Sequence, residues 1–205
     1  MTTTDIKLDF PELTFEEDRH IYKLNEVQIP SVTTIMRPLS NELYRNIDED
    51  VLNKAADRGT AVHNAIENYY KFGIADIEPK YEGYFRAFMS WYQSVNPEVI
   101  ASECRLYHKF LLYAGTADML VVIGGKVILV DFKTSASVNK MLTGVQLEAY
   151  SKACESLGIH IDGKAILHLK KDGRYDWHYY DSNDTESWEC FGALIVVRNH
   201  IKKYR

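Results

Sequence analysis

An apolar stretch that ends in two charged residues is the feature that most constrains the fold of this chain. Residues 127–130 read Val-Ile-Leu-Val and are followed by Asp131, Phe132 and Lys133. A short run of β-branched and aliphatic residues predicts a buried strand. Because successive strand side chains point to opposite faces, we expect Asp131 and Lys133 on one face and Phe132 in the core. An ion pair at a strand end is the simplest explanation of the two charges.

A second strand is predicted directly before this one. Gly124 and Gly125 are a hairpin signal, and the segment that ends at Ile123 is apolar, with Asp118 at its start. Two antiparallel strands joined by this turn would bring Asp118 toward Asp131. Two carboxylates that converge at a strand edge suit a hard cation such as Mg²⁺.

Composition and charge narrow the class of protein. With 205 residues, 46% of them hydrophobic, the chain is predicted to be a single domain over residues 1–205. It has no apolar run near the ~20 residues that span a bilayer, no signal-peptide pattern, and three scattered cysteines, so we expect a cytoplasmic protein without a membrane partner.

The net charge of −5 argues mildly against non-specific DNA binding. An enzyme whose metal ions meet the phosphate needs less basic surface, so a nuclease is not excluded.

Hydrophobic periodicity predicts a chain of mixed helices and strands. An N-terminal β-hairpin extension is expected over about residues 13–29, followed by a short helix from Val32. Further predicted helices cover residues 48–72, 80–95, 142–157 and 185–204, and predicted strands cover 99–107, 110–123, 126–134, 165–170 and 175–180.

Five other positions are candidate functional residues. His63 lies in the first long predicted helix, where a histidine near an apolar face is more often a core residue than a ligand. Ser31 is a good N-cap, and the helix start with Thr33 and Thr34 could hold a phosphate. A role in capping the helix and nothing more is about as strongly indicated as a phosphate site. Glu103 lies on a predicted strand, where it serves a metal or simply faces solvent.

Four local patterns occur in a characteristic order. They are residues 59–67 with His63, Gly115-Thr-Ala-Asp118, residues 130–135 with Asp131 and Lys133, and Gln146-Leu-Glu-Ala-Tyr150. Over roughly residues 20–170 the chain resembles the PD-(D/E)XK nuclease superfamily. It is most similar to the RecB-like branch, and residues 22–35 resemble the small phage and mitochondrial genome-maintenance exonucleases of that branch. The chain departs from the superfamily pattern in having Ala117 and not Pro before Asp118, which is common in this branch, and Asp131 and not Glu at the second acidic position.

The resemblance implies a restriction-endonuclease-like α/β core, with a mixed central sheet flanked by helices. It assigns Mg²⁺ or Mn²⁺ to His63, Asp118, Asp131 and the backbone carbonyl of Phe132, with Glu103 as a further ligand for a second metal. The cysteines of the iron–sulfur members are absent, so no iron–sulfur cluster is expected.

The resemblance also implies the reaction. Asp118, Asp131, Lys133, Gln146 and Tyr150 are the expected catalytic group, in which Lys133 orients or deprotonates the attacking water and stabilises charge on the phosphate. Gln146 and Tyr150 would contact Lys133 or the DNA backbone.

The expected activity is metal-dependent hydrolysis of DNA, as an exonuclease on DNA ends or single strands with a 5′-phosphate product, in recombination, repair or genome processing. A helicase, recombinase or single-strand-binding protein on another chain is the expected type of partner, and a phage origin in a bacterial host fits the resemblance. Three alternatives stay open: a nuclease-fold protein that binds nucleic acid without cutting it, a structure-specific endonuclease, and a metal hydrolase with another substrate.

Overall fold

Eight strands and five α-helices make up the part of the chain that the computed structural model describes, residue 6 and residues 8–204. The strands are β1 (Leu13–Glu16), β2 (Ile21–Leu24), β3 (Val27–Ile29), β4 (Glu98–Tyr107), β5 (Ala114–Ile123), β6 (Lys126–Lys133), β7 (Gly163–Leu169) and β8 (Tyr175–Tyr180). The helices are α1 (Val32–Tyr44), α2 (Glu49–Phe72), α3 (Glu82–Val95), α4 (Lys140–Ser156) and α5 (Thr185–Lys203), with a short 3₁₀ helix at Pro79–Tyr81. Residues 1–5, 7 and 205 of the predicted domain lie outside the described residues.

The main sheet has five strands in the order β4-β5-β6-β7-β8. Strands β6 and β7 run parallel, and the other neighbouring pairs are antiparallel. Helix α4 connects the parallel pair, which is the connection that parallel neighbours require. The predicted α/β fold with a mixed central sheet is confirmed.

Strand β6 lies in the middle of this sheet and is covered on both faces. Leu129 packs into a cluster with residues of α1, α4 and α5, whereas Val130 and Phe132 pack against residues of α2 and α3. Burial on both faces explains why the strand reads as a continuous apolar run. The predicted turn before it is present, with φ of 58° at Gly124 and 77° at Gly125, values that favour glycine.

The three N-terminal strands form a separate antiparallel sheet in the order β1-β2-β3. It joins the main sheet where the Ala114 N–H donates to the Pro30 carbonyl at 2.9 Å, and where the hydroxyls of Tyr22 and Thr116 lie 2.8 Å apart. The assignment of residues 13–29 to an extension of a single domain stays a prediction.

One predicted strand begins later than the sequence indicated. Residues 110–113 form a turn before β5, because the His108 Nδ1 accepts from the backbone N–H groups of Phe110 and Leu111, each at 3.2 Å. Leu112 has a φ of 52°, far from the values of about −120° to −140° that are typical of strands. None of the described helices is both long and apolar enough to cross a membrane.

Candidate metal and active site

Asp118 and Asp131 lie where strands β5 and β6 separate. The pairing of the two strands runs as far as Met119 and Val130, so the two aspartates are the next residues along each strand. Beyond that point the Phe132 N–H donates to Asp118 Oδ2 at 2.6 Å, in place of a strand-to-strand hydrogen bond. Both carboxylates are buried, with 7% of Asp118 and 2% of Asp131 exposed. The expected approach of the two aspartates is therefore present in the fold.

Lys133 lies on the same side of β6 as Asp131. Its Nζ is 2.5 Å from Asp131 Oδ2 and donates to Gln146 Oε1 of α4 at 3.0 Å. The Gln146 amide in turn donates to the Tyr150 hydroxyl at 3.4 Å. Burial lowers the pKa of Lys133, but the nearby Asp131 and Asp118 carboxylates outweigh it and leave the pKa above its ordinary value. Lys133 is consequently an ammonium group held in one position by β6 and α4.

His63 reaches the same place from α2. Its Nδ1 lies 3.3 Å from Asp118 Oδ1, its Nε2 lies 3.2 Å from the Phe132 carbonyl oxygen, and its ring meets the Phe132 ring edge-on. Burial lowers the pKa of His63, but the carboxylates of Asp118 and Asp131 outweigh burial and raise it to about 9. In the absence of a metal the protonated ring thus bridges these oxygens, and a metal ion would have to displace its proton to use His63 as a ligand.

Glu103 of β4 completes an acidic cluster. Its carboxylate, the His63 imidazole and the Asp118 carboxylate offer ligand atoms that all lie within 4.8 Å of one another. Burial and the charge of Asp118 raise the pKa of Glu103 to about 7. Its backbone has a φ of 51°, a left-handed conformation that costs a non-glycine residue about 1–2 kcal/mol. Glu103 also lines a cleft of about 370 Å³ with Glu67 and Arg105, so it is open to the outside on one side.

The residues present fit a divalent cation. Asp131 Oδ2 is buried and, although it lies close to the Lys133 ammonium, it accepts no hydrogen bond of ordinary geometry from the described residues. Burial and the charge of Asp118 together raise the pKa of Asp131 to about 6, against the opposing effect of Lys133. The converging ligand atoms of His63, Glu103 and Asp118 are a donor set that suits Mg²⁺ or Mn²⁺, and Asp131 lies beside this set with its Oδ2 against Lys133.

The predicted DNA-contacting residues lie beside the start of β5. Ser31 caps α1, since its Oγ accepts from the Thr34 N–H at 3.0 Å, and it forms a bridge with Ala114, four residues before Asp118. Ser31 is buried, Thr34 is half-buried and Thr33 is exposed. The capping interpretation of Ser31 thus holds, and a phosphate contact by Thr33 or Thr34 stays a prediction.

Tyr150, which was also predicted to contact DNA, has only 4% of its surface exposed. A methyl group added to Gly115 would lie 2.5 Å from the Tyr150 ring, so this glycine gives the ring its space. The hydroxyl meets Gln146, next to Lys133. This placement favours a role in holding Gln146 and Lys133 over direct contact with DNA.

Arg58 is a candidate that the sequence patterns did not reveal. It lies on α2, and its Nε donates to Thr134 Oγ1 at 3.3 Å. Thr134 is the residue that follows Lys133 in the sequence. Its guanidinium also lies over the Tyr84 ring, 5.5 Å from the ring centre. The only available signal was its place immediately before the pattern that contains His63. Arg58 thus places a positive charge at Thr134, the residue that follows Lys133.

Comparison with known proteins gives weak similarities. No protein-family profile and no curated protein matches the chain. Among solved structures, one described as SSO0001 is 15% identical to this chain, with a TM-score of 0.46. The match covers 82% of this chain and 74% of the SSO0001 chain. An alkaline exonuclease from Laribacter hongkongensis, LHK-Exo, is 13% identical over 73% of this chain and 91% of its own, with a TM-score of 0.40. The structure of the same enzyme in complex with dAMP is 14% identical to this chain, with a TM-score of 0.41. That match covers 73% of this chain and 89% of the enzyme chain.

Proposed function

We propose that this protein is a divalent-metal-dependent nuclease that hydrolyses phosphodiester bonds in DNA. The observation that supports the proposal is the meeting of Asp118, Asp131 and Lys133 where β5 and β6 separate. His63 joins them from α2, which packs on the opposite face of β6 from α4. An ion pair at a strand end requires neither the second buried aspartate nor the histidine.

The metal ligands in this proposal are Asp118, Asp131, His63 and the Phe132 carbonyl oxygen, with Glu103 for a second ion. The carbonyl oxygen is close to the His63 ring, at 3.2 Å from Nε2. A bound Mg²⁺ or Mn²⁺ would supply a Lewis acid for the phosphate and lower the pKa of a bound water.

Lys133 is the side chain that would stabilise charge in the transition state. Because the pKa of Lys133 lies above its ordinary value, it acts as a fixed positive charge and not as a base. A preorganised cation beside the phosphate stabilises the negative charge that builds on the phosphate oxygens during attack. Gln146 and Tyr150 hold this ammonium in place from α4.

The finer assignment is an exonuclease that acts on DNA ends or single strands and leaves 5′-phosphates. It rests on the resemblance in sequence, as does the proposal of a helicase, recombinase or single-strand-binding partner. Thr33, which is exposed, and Arg58, whose Nε donates to Thr134, are the groups proposed to contact the sugar–phosphate backbone.

End-labelled DNA tests the proposal directly. Single-stranded, linear double-stranded and closed circular DNA are incubated with the protein, with and without Mg²⁺ or Mn²⁺. We expect metal-dependent release of labelled products from linear DNA and no cutting of the closed circle. Cutting of the circle would favour the endonuclease alternative, and binding in Ca²⁺ without cleavage in any metal would favour a binding protein.

The variant Asp131→Asn links the activity to this site. It removes one metal-binding charge at nearly constant volume, so the rate should fall more than tenfold, a loss of over about 1.4 kcal/mol. Asp172→Asn is the matched control, because Asp172 lies in the exposed β7–β8 turn and pairs with Arg174. Equal rates in the two variants would place the activity elsewhere.

A further inference from the structure

Strands β7 and β8 carry a second cluster of potential metal ligands. His168 of β7 is paired across the sheet with Asp176 of β8, and His178 lies two residues further along β8. One ring nitrogen of each histidine and one oxygen of Asp176 all lie within 4.8 Å of one another. Leu167 and Trp177, the neighbours in sequence, pack into the core on the other face of the sheet. The three ligands therefore share the face that α4 covers.

The His168 ring is oriented as a metal ligand requires. Its Nε2 lies 2.7 Å from the Ser135 carbonyl oxygen, to which it donates. That hydrogen bond places a proton on Nε2, so Nδ1, which lies 4.0 Å from Asp176 Oδ2, is the nitrogen that would bind a metal. Histidines that bind metals usually donate their other ring N–H to a backbone carbonyl or a carboxylate in this way.

His178 supplies an independent indication. Its Nε2 is buried and has no hydrogen-bond partner among the described residues. The ring lies 6.0 Å from the His168 ring, with 35° between their planes. A buried ring nitrogen without a partner is costly, and a cation shared with His168 and Asp176 would provide the missing interaction.

We propose that His168, Asp176 and His178 form a binding site for a transition-metal ion of the Zn²⁺ class. Two imidazoles and one carboxylate favour such an ion over Mg²⁺, which prefers oxygen ligands. Tetrahedral coordination with bonds of about 2.0–2.2 Å places ligand atoms about 3.4 Å apart, so modest side-chain rotations close the cluster. This site shares no ligand with the cluster of His63 and Asp118.

Lys170 competes for the same carboxylate. Its Nζ lies 2.6 Å from Asp176 Oδ2, and the lysine is half-buried. A metal ion that binds Asp176 either displaces this ammonium or is repelled by its charge, so Lys170 lowers the affinity of the site for metal. Because Ser135 lies in the loop after β6, a bound ion would also tie the edge of the sheet to the segment that follows Lys133.

Competition with a chromophoric chelator measures Zn²⁺ binding to the full chain in excess Mg²⁺, which occupies oxygen-rich sites. We expect binding in the wild-type chain and a loss of affinity on the order of 100-fold or more in His178→Ala, since loss of a supporting partner alone costs 10–100-fold. His160→Ala is the matched control, because His160 forms an exposed pair with Asp162, at 3.3 Å. Circular dichroism checks the fold of each variant.

Lys170→Met gives a result that misfolding cannot imitate. Without the competing ammonium, Zn²⁺ should bind at least several-fold more tightly than to the wild-type chain, and the absorption bands of bound Co²⁺ should report nitrogen ligation. Three results would overturn the proposal: no Zn²⁺ binding by the wild-type chain, equal binding in His178→Ala and His160→Ala, or Zn²⁺ binding that disappears only in His63→Ala.

Discussion

Replacing Lys133 by Met separates the stabilisation of the transition state from the assembly of the metal site. The substitution keeps the length of the side chain but removes both the ion pair with Asp131 at 2.5 Å and the hydrogen bond to Gln146 at 3.0 Å. Loss of one preorganised donor typically lowers kcat by 10²–10³, about 2.7–4 kcal/mol. We expect a loss in this range for single-turnover cleavage at saturating Mg²⁺.

Metal affinity should respond differently. Removing a cation beside the ligands weakens electrostatic repulsion of the metal, but it also raises the pKa of Asp131, because Lys133 is one of the groups that lower that pKa. The pKa of about 6 applies to Asp131 beside Lys133 and rises when Lys133 is removed, so affinities are compared at about pH 8, where we expect the first effect to dominate. Mn²⁺ affinity by calorimetry should then be unchanged or higher. Ca²⁺-supported DNA binding should fall only modestly.

Lys126→Met is the control for this experiment. Lys126 is exposed at the other end of β6, seven residues or roughly 23 Å from Lys133. Lys133→Arg should not restore activity, because a planar guanidinium cannot place its charge at the same point. The reasoning fails if Lys133→Met keeps more than about a tenth of the wild-type rate, or if its Mn²⁺ affinity drops more than about tenfold at this pH.

Three further predictions concern pH, a buried ion pair and a close contact. At subsaturating Mg²⁺ the cleavage rate should fall as pH drops from about 9 to about 5, because the metal competes with protons for His63, whose pKa is raised to about 9, and for Asp131, whose pKa is raised to about 6; a flat profile from about pH 5 to 8 would contradict this. Glu148→Leu should lower the free energy of unfolding by about 3–5 kcal/mol in urea titrations, since it leaves Lys164 buried without its partner, and adding Lys164→Met should restore most of the loss. Gly115→Ala should destabilise the protein by about 1–3 kcal/mol because its methyl group would meet the Tyr150 ring, and thermal melts should show a smaller loss in a Tyr150→Leu background.

The sequence predicted β6 and its surroundings well because two independent signals agree there. The apolar run specifies a strand buried on both faces, and the alternation of strand side chains separates Phe132 from Asp131 and Lys133. The paired glycines then determine the turn and bring Asp118 of β5 next to Asp131.

The remaining features depend on contacts that a single sequence does not display. Glu103 joins the cluster through a left-handed backbone conformation, which alternation along a strand cannot predict. The late start of β5 follows from a turn that the His108 side chain organises. His168 and His178 meet only because β7 and β8 pair in one particular register, and neither belongs to a local sequence pattern.

The central place of β6 in the sheet also determines how the site responds to local opening. With two strands on either side, the backbone hydrogen bonds around Leu129 and Val130, which are paired with both β5 and β7, break only when most of the sheet opens, so their amide hydrogens should exchange at the rate set by global unfolding. Strand β8, at the edge, has one neighbour and can separate from β7 while the rest of the sheet remains intact. The protein can therefore lose the order of its edge strand repeatedly and still keep Asp118, Asp131 and Lys133 in register.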